Sequence, residues 1–149
     1  MPVMFLDFDG VLHPEFCHES RHFECNDHLL DACRGRDDLE IVISSTWRNN
    51  MALSALKVRL PEALARRVVG VTAPYATLQD LPAKVMPFER EAECLGWMRA
   101  NRPGHIAWVA VDDRAWLFRP FCVELFLVSG KTGLNAEAGG KLFERLQRL

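Results

Sequence analysis

Five short apolar runs, VMFLDF, EIVIS, RVVGV, IAWVAV and VELFLV, recur along the chain with helix-patterned segments between them. Near-continuous apolar runs of this kind suit strands buried on both faces, the condition of a parallel sheet covered by helices on either side. Helices are predicted over Asp27–Arg34, Asn50–Leu60, Phe88–Asn101 and Ala136–Leu149, with Pro61 ending the second and Asn135 capping the last. Hydrophobic residues make up 49% of the 149 residues, enough for one well-buried core and too few for two ordinary domains. No repeat, low-complexity tract or domain-separating linker interrupts the pattern. The chain is therefore expected to form one α/β domain over residues 1–149, a single doubly wound, mostly parallel five-stranded sheet with helices on both faces.

In such sheets ligands bind beyond the carboxyl ends of the strands, where loops converge and helix N-termini point at the site. Three of the five runs deliver polar residues to that edge: Asp7 and Asp9 after the first, Ser44 and Ser45 after the second, Asp112 and Asp113 after the fourth. The net charge of −2 supplies no global basic field, so any nucleic-acid contact must come from a local patch. The start, MPVMFLDFDG, lacks a basic leader and carries acids inside its apolar stretch, which argues against a signal peptide. No apolar run approaches a membrane span. Five scattered cysteines do not read as a disulfide framework, and a reducing, cytoplasmic setting is expected.

The stretch FLDFDGVLH sets two carboxylates around one apolar residue, with Gly10 free to turn the chain sharply. Carboxylates that close repel unless a cation lies between them or one is protonated. A hard divalent ion with oxygen ligands, magnesium above all, resolves the conflict and leaves room for a phosphate oxygen. A calcium loop starting at Asp7 fails, because it would need glycine at Leu12 and glutamate at His18. In IVISSTWR an apolar run ends in hydroxyls, and a hydroxyl at a strand-to-helix turn can hold a phosphoryl oxygen without adding charge.

FLDFDGVLH resembles the first motif of haloacid dehalogenase-like (HAD) phosphatases, D-x-D-G-[TV]-[LV], at its usual place on the first strand. The resemblance implies that Asp7 is a nucleophile forming an aspartyl-phosphate and that Asp9 protonates the leaving oxygen, then activates water. It implies that Ser44, with Ser45 as second choice, binds phosphate. WVAVDDR resembles the fourth motif, with Asp112 as a direct magnesium ligand beside Asp7 and the backbone carbonyl of Asp9, and Asp113 supporting the metal from behind. The family usually carries a lysine before the fourth strand; here Arg90 is favoured for that phosphate-facing cation over Lys84.

Members of this superfamily usually insert a cap domain, and neither Gly10–Glu40 nor Trp47–Glu89 is long enough for one, so only a small flap is expected. A capless site suits a large phosphorylated substrate, a nucleotide or a nucleic-acid end, with Trp47, Arg48 and Lys131 as a possible rim beside Arg90. FLDFDGVL, ISSTWR and VDD followed by a Gly-Leu loop also resemble the HAD-like domains linked to RNA-repair proteins. Alternatives are a small-metabolite phosphatase and a non-catalytic phosphate-binding domain of the same fold. A receiver-type signalling domain would place an acid after the third strand, where RVVGVTAPY has none. Cys17, His18, His22 and Cys25 form a possible zinc segment, although their spacing is not a standard one.

Overall fold

The computed structural model describes every residue from Met1 to Leu149. Five strands, β1 (Val3–Leu6), β2 (Glu40–Ile43), β3 (Val68–Val71), β4 (Trp108–Asp112) and β5 (Leu125–Leu127), form one sheet in the order β3-β2-β1-β4-β5. Every neighbouring pair is parallel, so the sheet is all-parallel rather than mostly so. The chain steps outward from β1 through β2 to β3, then crosses back to β4 on the other side of β1. That reversal is a topological switch point, and it places the carboxyl ends of β1 and β4 side by side.

Side-chain alternation along β1 explains why both faces need helices. Met4 and Leu6 join Ile41, Ile43, Val109 and Val111 in the larger core cluster, closed by Leu29 and Ala32 of α1 (Asn26–Ala32) and by Leu142 and Leu146 of α5 (Ala136–Leu146). Val3 and Phe5 face the other way, with Val42 and Ala110, against Cys94, Trp97 and Met98 of α4 (Glu89–Asn101). All four residues of β1 are fully buried, which is why this run reads as continuously apolar. Asn135 caps α5 as expected, its Oδ1 accepting from the Ala138 N–H at 2.9 Å.

Two expectations shift. The long helix predicted over Asn50–Leu60 is instead a 3-10 turn at Thr46–Asn49, capped by the Ser45 side chain, followed by the short α2 (Leu53–Lys57). Pro61 does not end a long helix but starts α3 (Glu62–Ala65), where its missing N–H is harmless. The small flap between β1 and α1 is present, with a single bridge between Asp9 and His13 and a 3-10 turn at Glu19–Arg21. It is pinned by other bonds: Glu15 N–H to Gly130 O at 2.8 Å, Cys25 N–H to Leu12 O at 2.9 Å, and Phe23 N–H to His13 Nδ1 at 3.2 Å. Neither this flap nor the segment from Thr46 to Phe88 forms a cap domain. No helix is long and apolar enough to cross a membrane.

Phe5 lies at the centre of the smaller cluster, edge-on to Trp97 at 5.9 Å and to Trp108 at 5.6 Å between ring centroids. Phe5→Ala is expected to lower unfolding free energy by about 3–5 kcal/mol, through lost burial and the cavity left behind. Urea denaturation followed by tryptophan fluorescence measures it; a loss below about 1 kcal/mol would mean the cluster is not a packed core.

Candidate active site

The strand pairing of β1 stops at Leu6, two residues short of the apolar run, and Asp7 begins the loop. Its N–H still reaches the Val111 carbonyl at 3.2 Å, which anchors it beside the end of β4. The Phe8 N–H donates to Asp7 Oδ1 at 2.9 Å. From the end of β4 comes Asp112, whose Oδ1 accepts from the Arg114 N–H at 2.9 Å, and Asp113 follows directly after the strand. Carboxylate oxygens of Asp7, Asp112 and Asp113 lie within 4.8 Å of one another, and they are the one such grouping of potential metal ligands in the molecule.

One buried cation faces them. Arg90, in the first turn of α4, donates from Nη1 to Asp112 Oδ2 at 2.7 Å and lies 3.5 Å from Asp7 Oδ1. Its Nε lies 3.4 Å from Glu93 Oε1, one turn along the same helix. Asp7 and Arg90 are each 4% exposed and Asp112 1%. Burial pushes the Asp7 carboxyl well above the usual range, Asp112 adds to the effect, and Arg90 opposes it. Asp112 is likewise raised by burial, against the pull of Arg90. Asp113 is raised by burial and then by Asp112. Burial works against the Arg90 charge, yet Asp112 and Asp7 more than offset it and hold the guanidinium protonated. Three carboxylates against one guanidinium leave an excess of buried negative charge, which favours a cation as a further partner.

The residues present fit a hard cation. All the donors are carboxylate oxygens, the set preferred by magnesium. Asp113 Oδ1 is buried with no hydrogen-bond partner, so one lone-pair-bearing atom stands free within the group. Two glycines make room for this side chain. A Cβ on Gly10, which has φ +78°, would fall 2.1 Å from Asp113 Oδ2, and one on Gly130 would fall 2.7 Å from the same atom. Asp113 was expected behind the metal; its carboxylate instead belongs to the same oxygen group as Asp7 and Asp112.

Asp9 is directed elsewhere. Its Oδ1 accepts from His13 Nε2 at 2.7 Å and its Oδ2 from Trp47 Nε1 at 3.0 Å. The Phe23 N–H donates to His13 Nδ1, so that nitrogen is the unprotonated one and Nε2 carries the hydrogen. The hydrogen bond from His13 holds the Asp9 carboxyl below its ordinary range; partial burial opposes this and Trp47 supports it. His13 is buried, stacked on His22 at 4.4 Å and edge-on to Phe23, while Trp47 is edge-on to Phe8 and Phe23. Trp47 is thus both a packing residue and a donor. His13 was not singled out from the sequence; its place four residues after Asp9, straight after the glycine turn, was the available signal.

Ser44 and Ser45 divide their tasks. The Ser45 hydroxyl accepts from the Trp47 N–H at 3.2 Å and caps the turn, whereas the Ser44 side chain has no protein partner at the end of β2. Arg48 is not a rim residue: its side chain is buried, ion-paired with Glu93, and donates from Nη1 to the Ser44 and Ser45 carbonyls at 3.2 and 2.9 Å. Lys84 lies exposed on the turn Ala83–Val85 and pairs with none of these acids, so Arg90 is the cation that meets them. Lys131 is exposed in the turn after β5 and lines none of the cavities around Asp9. The Cys17–Cys25 segment gathers no three ligand atoms: His18 caps Ser20 and the Cys25 thiol donates to the Thr132 carbonyl.

Three cavities surround the mouth. One of about 310 Å³ is lined by Arg48, Arg90, Glu93 and Arg114; one of about 190 Å³ by Asp9, His22, Phe16 and Arg114; one of about 350 Å³ by Asp9, Thr46, Trp47 and Met51. No curated protein and no solved structure matches the chain. A family model does, over residues 3–138, from the first residue of β1 into the first turn of α5, and it is described as the HAD domain in Swiss Army Knife RNA repair proteins. With the match spanning all five strands and every acid of the site, the chain belongs to that family of HAD domains.

Proposed function

We propose that the chain is a magnesium-dependent phosphomonoesterase working through an aspartyl-phosphate, on a nucleotide, a nucleic-acid end or another large phosphorylated substrate. The observation that carries this reading is the divergence of two carboxylates from one short motif. Asp7 enters the carboxylate group facing Arg90, while Asp9 is held outside it by His13 and Trp47. Two acids in different surroundings can take different roles.

In the first step an Asp7 carboxylate oxygen bonds to phosphorus, the bond to the leaving oxygen breaks, and Asp9, which must first take up a proton against the pull of His13 and Trp47, gives it to that oxygen. In the second, Asp9 takes a proton from water, the water oxygen bonds to phosphorus, and the acyl-phosphate bond to Asp7 breaks. Arg90 and the free Ser44 hydroxyl hold phosphoryl oxygens. Asp7, Asp112 and Asp113, with the carbonyl of Asp9, would hold magnesium, which neutralises charge on the phosphoryl oxygens when bound. The large-substrate reading is supported by the absence of a cap and by a family named for RNA-repair proteins. Five free thiols are in keeping with a cytoplasmic location.

Asp7→Asn is expected to abolish phosphate-ester turnover while leaving the fold intact; near-normal turnover would reject the covalent mechanism. Asp9→Asn should lose about a hundredfold or more on alkyl phosphates and much less on para-nitrophenyl phosphate, whose leaving group needs little protonation. His13→Leu should imitate Asp9→Asn more weakly, by about tenfold, the lower end for removing an outer partner of a site ligand. His13→Gln, which restores an N–H donor, should recover part of the loss; equal loss on every leaving group in both variants would reduce His13 to packing.

Chelation by EDTA should stop turnover and added magnesium restore it. Asp112→Asn and Asp113→Asn should each raise the magnesium requirement, as should Gly130→Ala, whose Cβ would sit 2.7 Å from Asp113 Oδ2. Full activity after chelation would sink the metal assignment.

A further inference from the structure

The cations at the mouth differ in how far they are committed. Arg90 is engaged with Asp112, Asp7 and Glu93, and Arg48 with Glu93 and two carbonyls. Arg114 uses its backbone N–H to bind Asp112, but its half-buried guanidinium has no ion-pair partner and donates no hydrogen bond. Glu15 lines the same cavity and does not pair with it. Arg114 also lines both the 310 Å³ cavity that holds Arg90 and the 190 Å³ cavity that holds Asp9. An unpaired guanidinium between the phosphoryl-facing residues and the leaving-group acid is placed to meet an anion.

The same 190 Å³ cavity ends in Phe16, which is 96% exposed and held at φ +56°. A bulky side chain rarely adopts that backbone conformation, and here the ring is turned fully into solvent at the edge of the cavity. His22 lines the cavity as well, stacked on His13. Aromatic faces with an unpaired arginine are the parts that grip a flat ring joined to a phosphate.

Direction follows from the chemistry of the site. Asp9 must reach the leaving oxygen, so the leaving group lies on the Asp9 side of the phosphoryl group. Two cavities adjoin Asp9, and the one lined by Thr46, Trp47, Asn50 and Met51 contains no cation. An anionic leaving group is therefore directed to the Arg114 side.

We propose that Arg114 and Phe16 form a leaving-group subsite that reads the terminal base and the next phosphate of a single-stranded nucleic-acid end. This rests on the phosphatase reading above and deepens it: the ring holds the terminal base, and the enzyme distinguishes a strand end from a mononucleotide by one charge, that of the next phosphate.

The test is kcat/KM for dinucleotides carrying a terminal phosphate, at either end in turn, with the internal linkage either a phosphate or an uncharged methylphosphonate. The natural linkage should be preferred about tenfold for one end, and Arg114→Gln should abolish the preference while Lys141→Gln, on the exposed face of α5, leaves it unchanged. Arg114→Gln should also flatten the dependence of log kcat/KM on log salt by about 0.7, the share of one phosphate contact on a single strand. Phe16→Ala should erase the advantage of a normal terminal nucleotide over an abasic one. Equal rates for the two linkages in the wild type, or discrimination retained by Arg114→Gln, would overturn the subsite. A wild type that hydrolyses no phosphomonoester would instead sink the phosphatase reading. The subsite is then decided by fluorescence anisotropy of the labelled dinucleotides, where loss of linkage discrimination in Arg114→Gln supports it and retention rejects it.

Discussion

The site depends on one guanidinium facing an excess of buried acid. Arg90 meets Asp112 at 2.7 Å, Asp7 at 3.5 Å and Glu93 at 3.4 Å from a position that is almost wholly buried. Desolvating such a network is expensive, and its Coulomb attraction only partly repays that, so stability alone does not account for it. Its geometric effect is plainer. The fork of one arginine ties the first turn of α4 to the ends of β1 and β4 together, its Nη1 facing both strand ends while its Nε faces Glu93 of its own helix. Glu93 then carries the tie onward to Arg48, whose Nη1 bonds fix the carbonyls of Ser44 and Ser45. Three strand ends are thereby locked to one helix through charged side chains.

Around that lock, small residues and aromatic ones sort the acids. Asp113 can join Asp7 and Asp112 because Gly10 and Gly130 leave empty the space its carboxylate fills. Asp9 is drawn the other way by two ring N–H donors, one from the flap and one from the turn after β2. Both rings are held by packing against Phe23, and Trp47 also rests on Phe8, so the hydrophobic core reaches directly to the carboxylate. A D-x-D spacing inside a continuing strand would point both side chains to one side. The strand ends at Leu6, and the turn at Gly10 lets tertiary packing decide each direction separately.

This history explains what could be read from the sequence. Strand identity and the acids at strand ends follow from local apolar pattern and parallel topology, so β1, β2 and β4 and the placement of Asp7, Ser44 and Asp112 were legible. Cations were less so, because whether an arginine is free depends on partners far along the chain. Arg48 looked like a rim residue, yet its partner Glu93 lies forty-five positions away. Lys84 matched the expected residue type but falls on a separate turn outside α4. The clamp on Asp9 joins residues thirty-eight positions apart, and the flap is pinned by isolated backbone and side-chain bonds to distant positions, so no periodic pattern announced either.

A capless fold also has to meet a demand that a cap would otherwise serve. Electrostatic interactions with a phosphoryl group strengthen as water leaves the site. Under the proposed reaction the groups that would face the phosphoryl group are already dry: Asp7, Asp112 and Arg90 are each at most 4% exposed. The desolvation is built into the folded chain at the inner end of the site, while Asp9, about half buried in its aromatic surroundings, remains open to two cavities. In that proposal, preorganisation at the phosphoryl end would leave a bound substrate only the outer, leaving-group side to cover. That is the side on which a large substrate has atoms to spare and a small one does not.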